Sequence, residues 1–302
     1  MLDSRLTEQR NPRSAHMDRL DPAGLVALIN AEDRTVAEAV AREAPAITRG
    51  VELVAETFRA GGRLFYVGAG TSGRLGVLDA AEMPPTYGTD PEMVQGIIAG
   101  GYEALVRAQE GAEDHPHRGA RDVEARGVRS GDFVLGIATS GTTPYVHGAL
   151  ARARELGART GFLLCTPPTA ELLATHDVVI APLVGPEVVT GSTRMKAGTA
   201  TKMVLNTLTT SAMVLTGKVW GNLMVDLQVT CRKLEDRGRR ILQGTLGVEP
   251  ALAARLLDEA DGEVRTAIAM HRLGVRAPEA RRLLDEAGGR VADLLSPGDG
   301  AP

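Results

Sequence analysis

The run Gly68-Ala69-Gly70-Thr71-Ser72-Gly73 constrains this chain more than any other stretch. An apolar segment, Leu64-Phe65-Tyr66-Val67, precedes it, and a helix-forming segment, Arg74-Leu75-Gly76-Val77-Leu78-Asp79, follows. A buried strand that turns sharply into a helix leaves backbone N–H groups without intrahelical partners. Those groups, with the Thr71 and Ser72 hydroxyls, suit an anion, and above all a phosphate. The run also fits the dinucleotide pattern GxGxxG. However, consecutive Thr and Ser crowd the place where a bridging pyrophosphate would lie. Hydroxyl donors fit better with the many oxygens of a terminal monophosphate. A purely steric role for the glycines is the third reading.

Four more short apolar runs follow: Val94 to Ile98, Phe133 to Ala138, Gly161 to Cys165 and Val178 to Ile180. Helix-like segments separate most of them, notably Tyr102–Gly111 and Pro144–Leu156. Short apolar strands alternating with helices predict an α/β fold: a three-layer sandwich around a mostly parallel five-stranded sheet. Right-handed crossovers then bring the loops after the strands to one edge. A second turn, Thr139-Ser140-Gly141-Thr142-Thr143, falls on that edge and puts four hydroxyls beside one glycine. Capping of the helix at Pro144 needs one hydroxyl, not four. Thr71, Ser72, Ser140, Thr142 and Thr143 are therefore candidate phosphate or sugar contacts.

Around this sheet, residues 1–20 read as a polar arm. Asp21-Pro22 opens a helix that runs, with a break at Pro45, to about Arg59. The organisation expected is an arm with helices over 1–55, a phosphosugar-binding domain over 56–225 and a small C-terminal helical region over 226–302. Within the last, a helix from Val225 to Leu242 and shorter ones at Ala251–Ala260, Glu263–His271 and Pro278–Glu286 are expected, with a disordered tail from Ser296.

The candidate acids come next. Asp79 and Glu82 share one helix face, and Met83-Pro84-Pro85 is expected to stop that helix, fixing Glu82 at a rigid edge. Glu110, Glu113 and Asp114 form a second group that spacing alone does not rank. Two opposed carboxylates can divide acid and base roles. A third block, Glu187 to Thr199, contains Ser192 or Thr193 as a helix cap. It also places Arg194 and Lys196 in the first helical turn, where positive charge opposes the helix dipole. An anionic ligand or a partner carboxylate would account for them, and Ser192 and Lys196 join the candidate ligand contacts.

Several classes are disfavoured. Net charge is −4, aromatics are 3% and no basic block occurs, which argues against nucleic acid. The segment Met203 to Trp220 is too polar to span a membrane. Cys165 and Cys231 form no CxxC and fit a reducing, cytoplasmic setting. His115-Pro116-His117 beside Asp114 lacks a third histidine, so no metal is expected, and no organic cofactor is implied. No serine sits in GxSxG.

Together these blocks resemble N-acetylmuramic acid 6-phosphate etherases. The resemblance rests on Gly68 to Gly76, Leu78-Asp79-Ala80-Ala81-Glu82-Met83-Pro84-Pro85-Thr86-Tyr87-Gly88 and Glu110-Gly111-Ala112-Glu113-Asp114. It extends to Glu187 through Lys202, Gly217 through Asp226 and the N-terminal Leu6-Thr7-Glu8-Gln9-Arg10-Asn11-Pro12. It covers nearly the whole chain. It implies a lyase of bacterial cell-wall recycling that cleaves the C3 lactyl ether of N-acetylmuramic acid 6-phosphate, giving N-acetylglucosamine 6-phosphate and D-lactate. The family's catalytic acid matches Glu82 and its other essential carboxylate matches Glu113. It further implies a homodimer and a sugar-isomerase-type domain. One departure stands out: many relatives carry Arg where this chain has Thr142. The glucokinase regulatory protein, a related phosphosugar sensor without chemistry, is the rival class, and retention of both glutamates favours the enzyme.

Overall fold

The computed structural model describes residues 5–226 and 232–294. They divide into two compact units, one formed by 1–81 and 92–209, the other by 82–91 and 210–302.

The first unit begins with the arm. It is not loose: three short 3-10 turns, at Leu6–Glu8, Pro12–Ser14 and Met17–Arg19, run through it, and Thr7, Asn11 and Ser14 are buried. Helix α1 (Pro22–Arg42) opens where the Asp21 carboxylate accepts the Gly24 N–H at 2.7 Å. Pro45 falls in the first turn of the next helix, α2 (Ala44–Arg59), where its missing N–H costs nothing. Then come β1 (Leu64–Gly68), α3 (Gly70–Tyr87), β2 (Val94–Ile98), α4 (Glu103–Val106), α5 (Pro116–Ala125) and β3 (Phe133–Ile137). They are followed by α6 (Pro144–Glu155), β4 (Arg159–Leu163), α7 (Ala170–Thr175), β5 (Val178–Ile180) and α8 (Lys196–Leu215).

The five strands are parallel in the order β2-β1-β3-β4-β5. Alternation along each strand splits the core in two. Phe65, Val67, Val134 and Phe162 pack with Val123 of α5 and with Tyr145, Val146, Ala149 and Leu150 of α6. The opposite face carries Tyr66, Ile137 and Ile180 against α2, α3 and α8. There Gly50 lies where a Cβ would come within 2.8 Å of Leu208, and Gly76 where one would come within 2.7 Å of Tyr66. Helices on both faces of a parallel sheet are the expected three-layer sandwich.

Three local expectations are corrected. Helix α3 does not stop at Pro84-Pro85 but passes through both and ends at Tyr87. Each proline loses its own N–H and crowds the carbonyl four residues back, but both fall in the last turn, where the Pro84 carbonyl still accepts the Gly88 N–H at 2.9 Å. The segment Tyr102–Gly111 is helical only over Glu103–Val106, because Arg107 swings to an extended conformation. Strand β4 begins at Arg159, two residues before the apolar run: its guanidinium pairs with Glu56 at 2.7 Å and bonds the Thr57 hydroxyl at 3.0 Å.

The second unit is helical, with α9 (Arg232–Leu246), α10 (Pro250–Glu259), α11 (Val264–Leu273), α12 (Ala277–Glu286) and α13 (Val291–Leu294). Its own core gathers Trp220, Leu242, Leu257, Ile268 and Leu284. Asp226 pairs with Lys218 and with Arg265, the latter at 2.9 Å. The helix expected from Val225 to Leu242 does not begin there, since Val225 and Asp226 lie in a turn, and it ends at Leu246; residues 227–231, Cys231 among them, and the tail from Ser296 lie outside the described residues.

Candidate active site

The strand order sets the location of the site. Strand β1 sits between β2 and β3, so the chain leaves β1 toward one side of the sheet and returns to β3 on the other. In such sheets the loops after the two central strands diverge and leave a crevice. The turns at 69–73 and 139–143 are those two loops.

The first turn is shaped by close approach of strand and helix. A Cβ on Gly68 would stand 2.7 Å from the Gly73 nitrogen, and one on Gly73 would stand 2.6 Å from the Ile98 side chain. Gly70, at φ +53°, supplies the left-handed step that starts α3. The first helical bond is Gly73 N–H to the Ala69 carbonyl at 3.3 Å, so the N–H groups before it belong to the loop.

The second turn is shaped by polar contacts. The Ser140 and Thr142 hydroxyls are 3.1 Å apart, and the Thr166 hydroxyl donates to the Ser140 carbonyl at 3.4 Å. Thr143 occupies the cap position of α6, but its hydroxyl makes no cap bond. The Gly141 carbonyl, at a residue with φ +77°, accepts from His147 Nε2 at 2.8 Å.

Between the turns lies a cleft of about 390 Å³, lined by Thr71, Ser72, Thr139, Ser140, Thr142 and Thr143. Glu113 and Asp114 close one side. Both stand on a 3-10 turn, Ala112–Asp114, that follows Gly111 at φ +69°. Ala112 points into the core, which leaves Glu113 and Asp114 exposed. Glu110 does not line this cleft. It borders a smaller cavity of about 170 Å³ that Glu113 also borders. The other expected carboxylate, Glu82, is exposed and belongs to the second unit. Asp79, its neighbour on α3, is buried, with Tyr66 donating to it at 2.8 Å. Burial pushes the Asp79 carboxyl pKa above its ordinary range, although the Tyr66 and Thr209 hydroxyls and the Lys202 charge pull it down.

The block at 187–196 departs most from expectation. Neither Ser192 nor Thr193 caps α8. The buried Glu187 carboxylate does so, accepting the Lys196 N–H at 3.0 Å and the Ala197 N–H at 2.9 Å. A carboxylate across a helix N-terminus suits the helix dipole. Gly191 and Thr193 line the cleft, whereas Ser192 itself does not. Lys196 is corrected: its ammonium is buried and ion-paired to Glu32 of α1 at 2.6 Å. Burial would raise the Glu32 carboxyl, but hydrogen bonds from Lys196 and Asn11 and the charges of Lys196 and Arg13 outweigh it, so its pKa is lowered. Glu187 shows the opposite balance, with burial raising it beyond what its N–H donors recover. Cys165 is buried nearby, its thiol pushed up to about 12 by burial, then by the Glu187 charge.

Two lining residues went unnoticed in the sequence as site candidates: Arg5 and Glu8, both from the arm. Arg5 donates to the Thr142 hydroxyl at 3.2 Å. Nothing local to Arg5 signals this, because the contact spans 137 residues. Among the described residues no cluster of His, Cys, Asp and Glu has a metal-holding arrangement, and no helix is long and apolar enough to cross a membrane.

Residues 46–154 match the family model of the glucokinase regulatory protein N-terminal SIS domain. The chain is 54% identical over 270 residues to an N-acetylmuramic acid 6-phosphate etherase of Rhodopirellula baltica, covering 89% of each chain. It is 55% identical over 270 residues to an enzyme of the same name from Salinibacter ruber, covering 89% of this chain and 86% of the other. Among solved structures, a phosphoheptose isomerase from Neisseria gonorrhoeae aligns with 65% of this chain and 98% of its own, at 18% identity and a TM-score of 0.46.

Proposed function

The chain belongs to the N-acetylmuramic acid 6-phosphate etherase family, and from that premise we propose that the hydroxyl-lined cleft of the first unit holds this phosphosugar while its C3 lactyl ether is eliminated. The observation that carries the proposal is the pairing of two polar turns at the sheet's switch point with an exposed carboxylate, Glu113, on their border.

An ether oxygen is a poor leaving group, and direct attack by water is slow. Opening the sugar to its aldehyde makes the C2 proton removable, because the resulting enolate is conjugated. Glu113 takes that proton. The enolate expels lactate from C3, leaving a double bond between C2 and C3 in conjugation with the aldehyde. Water then adds at C3 and a proton returns to C2. Each transfer by a placed carboxylate contributes roughly 10²–10⁴ in rate. Thr71, Ser72, Ser140, Thr142 and Thr143 hold the phosphate and sugar, so that binding energy remote from C2 and C3 orients the reacting bond. The sequence resemblance assigns protonation of the departing lactyl oxygen to Glu82. That assignment is tested separately, by substitution of Glu82 alone.

We also read the protein as a homodimer. Leu20, Val26, Leu78, Tyr102 and Val106 of the first unit are exposed, Tyr102 by 79%, and such apolar groups are covered in self-assembling enzymes. Sedimentation as a monomer at working concentration, with full activity, would remove this reading. The buried Cys165 thiol and a charged substrate that cannot cross a membrane unaided support a cytoplasmic setting.

The deciding experiment is incubation with N-acetylmuramic acid 6-phosphate in heavy-oxygen water. D-lactate should be released without label, and the C3 hydroxyl of N-acetylglucosamine 6-phosphate should gain it. Label in lactate alone would sink elimination, and binding without release of D-lactate would make the protein a sensor. Glu113→Gln should also abolish exchange of the C2 hydrogen with solvent; normal exchange would remove its role.

A further inference from the structure

We infer that His147, in the first turn of α6, is a positioning residue that fixes the second polar turn in the form presenting its donors to the cleft. The inference rests on the proposal that this turn holds the substrate, and it deepens that proposal. A loop that takes an anion must aim N–H and O–H groups at it and turn its carbonyl oxygens away. The stretch from Ala138 to Gly141 ties back four successive carbonyls. The Ala138 carbonyl accepts the Gly141 N–H at 2.8 Å, and the Thr139 carbonyl accepts the Cys165 N–H at 2.9 Å. The Ser140 carbonyl accepts the Thr166 hydroxyl at 3.4 Å, and the Gly141 carbonyl accepts His147 Nε2 at 2.8 Å.

The last of these tethers matters most. Gly141 is at φ +77°, and glycine leaves the peptide that follows it free to rotate unless something holds it. In a trans peptide the C=O and the next N–H point opposite ways. Holding the Gly141 carbonyl against His147 therefore turns the Thr142 N–H the other way, toward the Ser140 hydroxyl 3.4 Å from it. Ser140 and Thr142 line the cleft, whereas Gly141 and His147 border a separate cavity of about 360 Å³. His147 thus acts through the turn rather than on the ligand. Its ring is placed for this. A carbonyl oxygen has no hydrogen to give, so Nε2 carries the proton. The ring lies against Phe162 of β4, centroids 5.3 Å apart, and Phe162 is wholly buried. The donor is thereby anchored to the sheet.

The test compares wild type with His147→Phe, His147→Asn and His147→Gln, by steady-state release of D-lactate and by calorimetric binding of N-acetylglucosamine 6-phosphate. Phe keeps the ring against Phe162 and loses the donor. Gln loses the ring but carries an amide N–H to about the reach of Nε2, and Asn, one methylene shorter, falls short of it. His147→Phe and His147→Asn should raise both the KM and the Kd of the sugar phosphate roughly 3- to 10-fold, the worth of one neutral hydrogen bond. Their kcat should change much less, and His147→Gln should stay close to wild type. A ring that merely packs predicts the reverse order, with Phe harmless and Gln impaired. That order, or wild-type constants in all three variants, would overturn the inference while leaving the etherase reading intact. Weakened binding in His147→Phe, with no D-lactate released by wild type, would support the inference and overturn the etherase reading alone. Failure of wild type to bind the sugar phosphate would overturn both.

Discussion

Two cations near the cleft have opposite fates. Lys196 stands in the first turn of a helix beside a Ser/Thr-rich segment, where charge against the dipole suggests a ligand. Arg5 stands in an arm with no regular element longer than three residues. Yet Lys196 is sealed against Glu32, while Arg5 reaches the polar turn. The difference is burial. An ammonium surrounded by protein must be matched by a carboxylate wherever that carboxylate lies in the chain, here 164 residues away. The guanidinium of Arg5, only half-buried, is matched instead by a hydroxyl of the second turn.

This contrast can be broken by measurement. The largest effect belongs to Lys196→Ala. Stranding the Glu32 carboxylate in the interior should cost about 3–5 kcal/mol in denaturant unfolding, with the KM of the folded fraction unchanged. A raised KM without lost stability would return Lys196 to the site. Next comes the acid limb of stability. Because the folded-state pKa of Glu32 is lowered, its contribution is complete above its unfolded value near 4.5 and fades as pH falls through the lower folded value. Glu32→Gln should therefore be less stable at pH 7 and flatten the decline in that window; an unaltered acid limb would show that the pair contributes no pH dependence. Smallest is Arg13→Ala. Arg13 pairs with Glu32 at 2.6 Å but is 60% exposed, so its loss should cost at most about 1 kcal/mol. A cost rivalling Lys196→Ala would mean that the arm, not the buried pair, holds this corner together.

The same distinction governs what was legible in the sequence. The strands were readable because buried parallel strands are continuous apolar runs, and the two polar turns because their residue types are excessive for capping alone. Glu113 and Asp114 could not be separated from Glu110 by spacing, since their orientation follows from Ala112 entering the core and Gly111 adopting a left-handed conformation. The cap of α8 was misread because Glu187 reaches it across a loop rather than from the adjoining position. Pro84 and Pro85 looked like a stop, yet the bonds they remove and the carbonyls they crowd belong to the last turn, which tolerates both. Arg5 left no trace because its partner belongs to another segment. Local chemistry was visible, and pairing at long range was not.

The cleft draws on five stretches of chain, from Arg5 and Glu8 through 69–72, 113–114 and 137–144 to Gly191 and Thr193. A molecule seated there works as a drawstring. At a hundred times its Kd it should add about 2.7 kcal/mol to the folded state, and closing the loop would tie the arm to the sheet at Arg5 and Glu8. A protease that cuts within the arm would then find it released less often in the loaded protein than in the empty one, so substrate supply would set how long the arm survives.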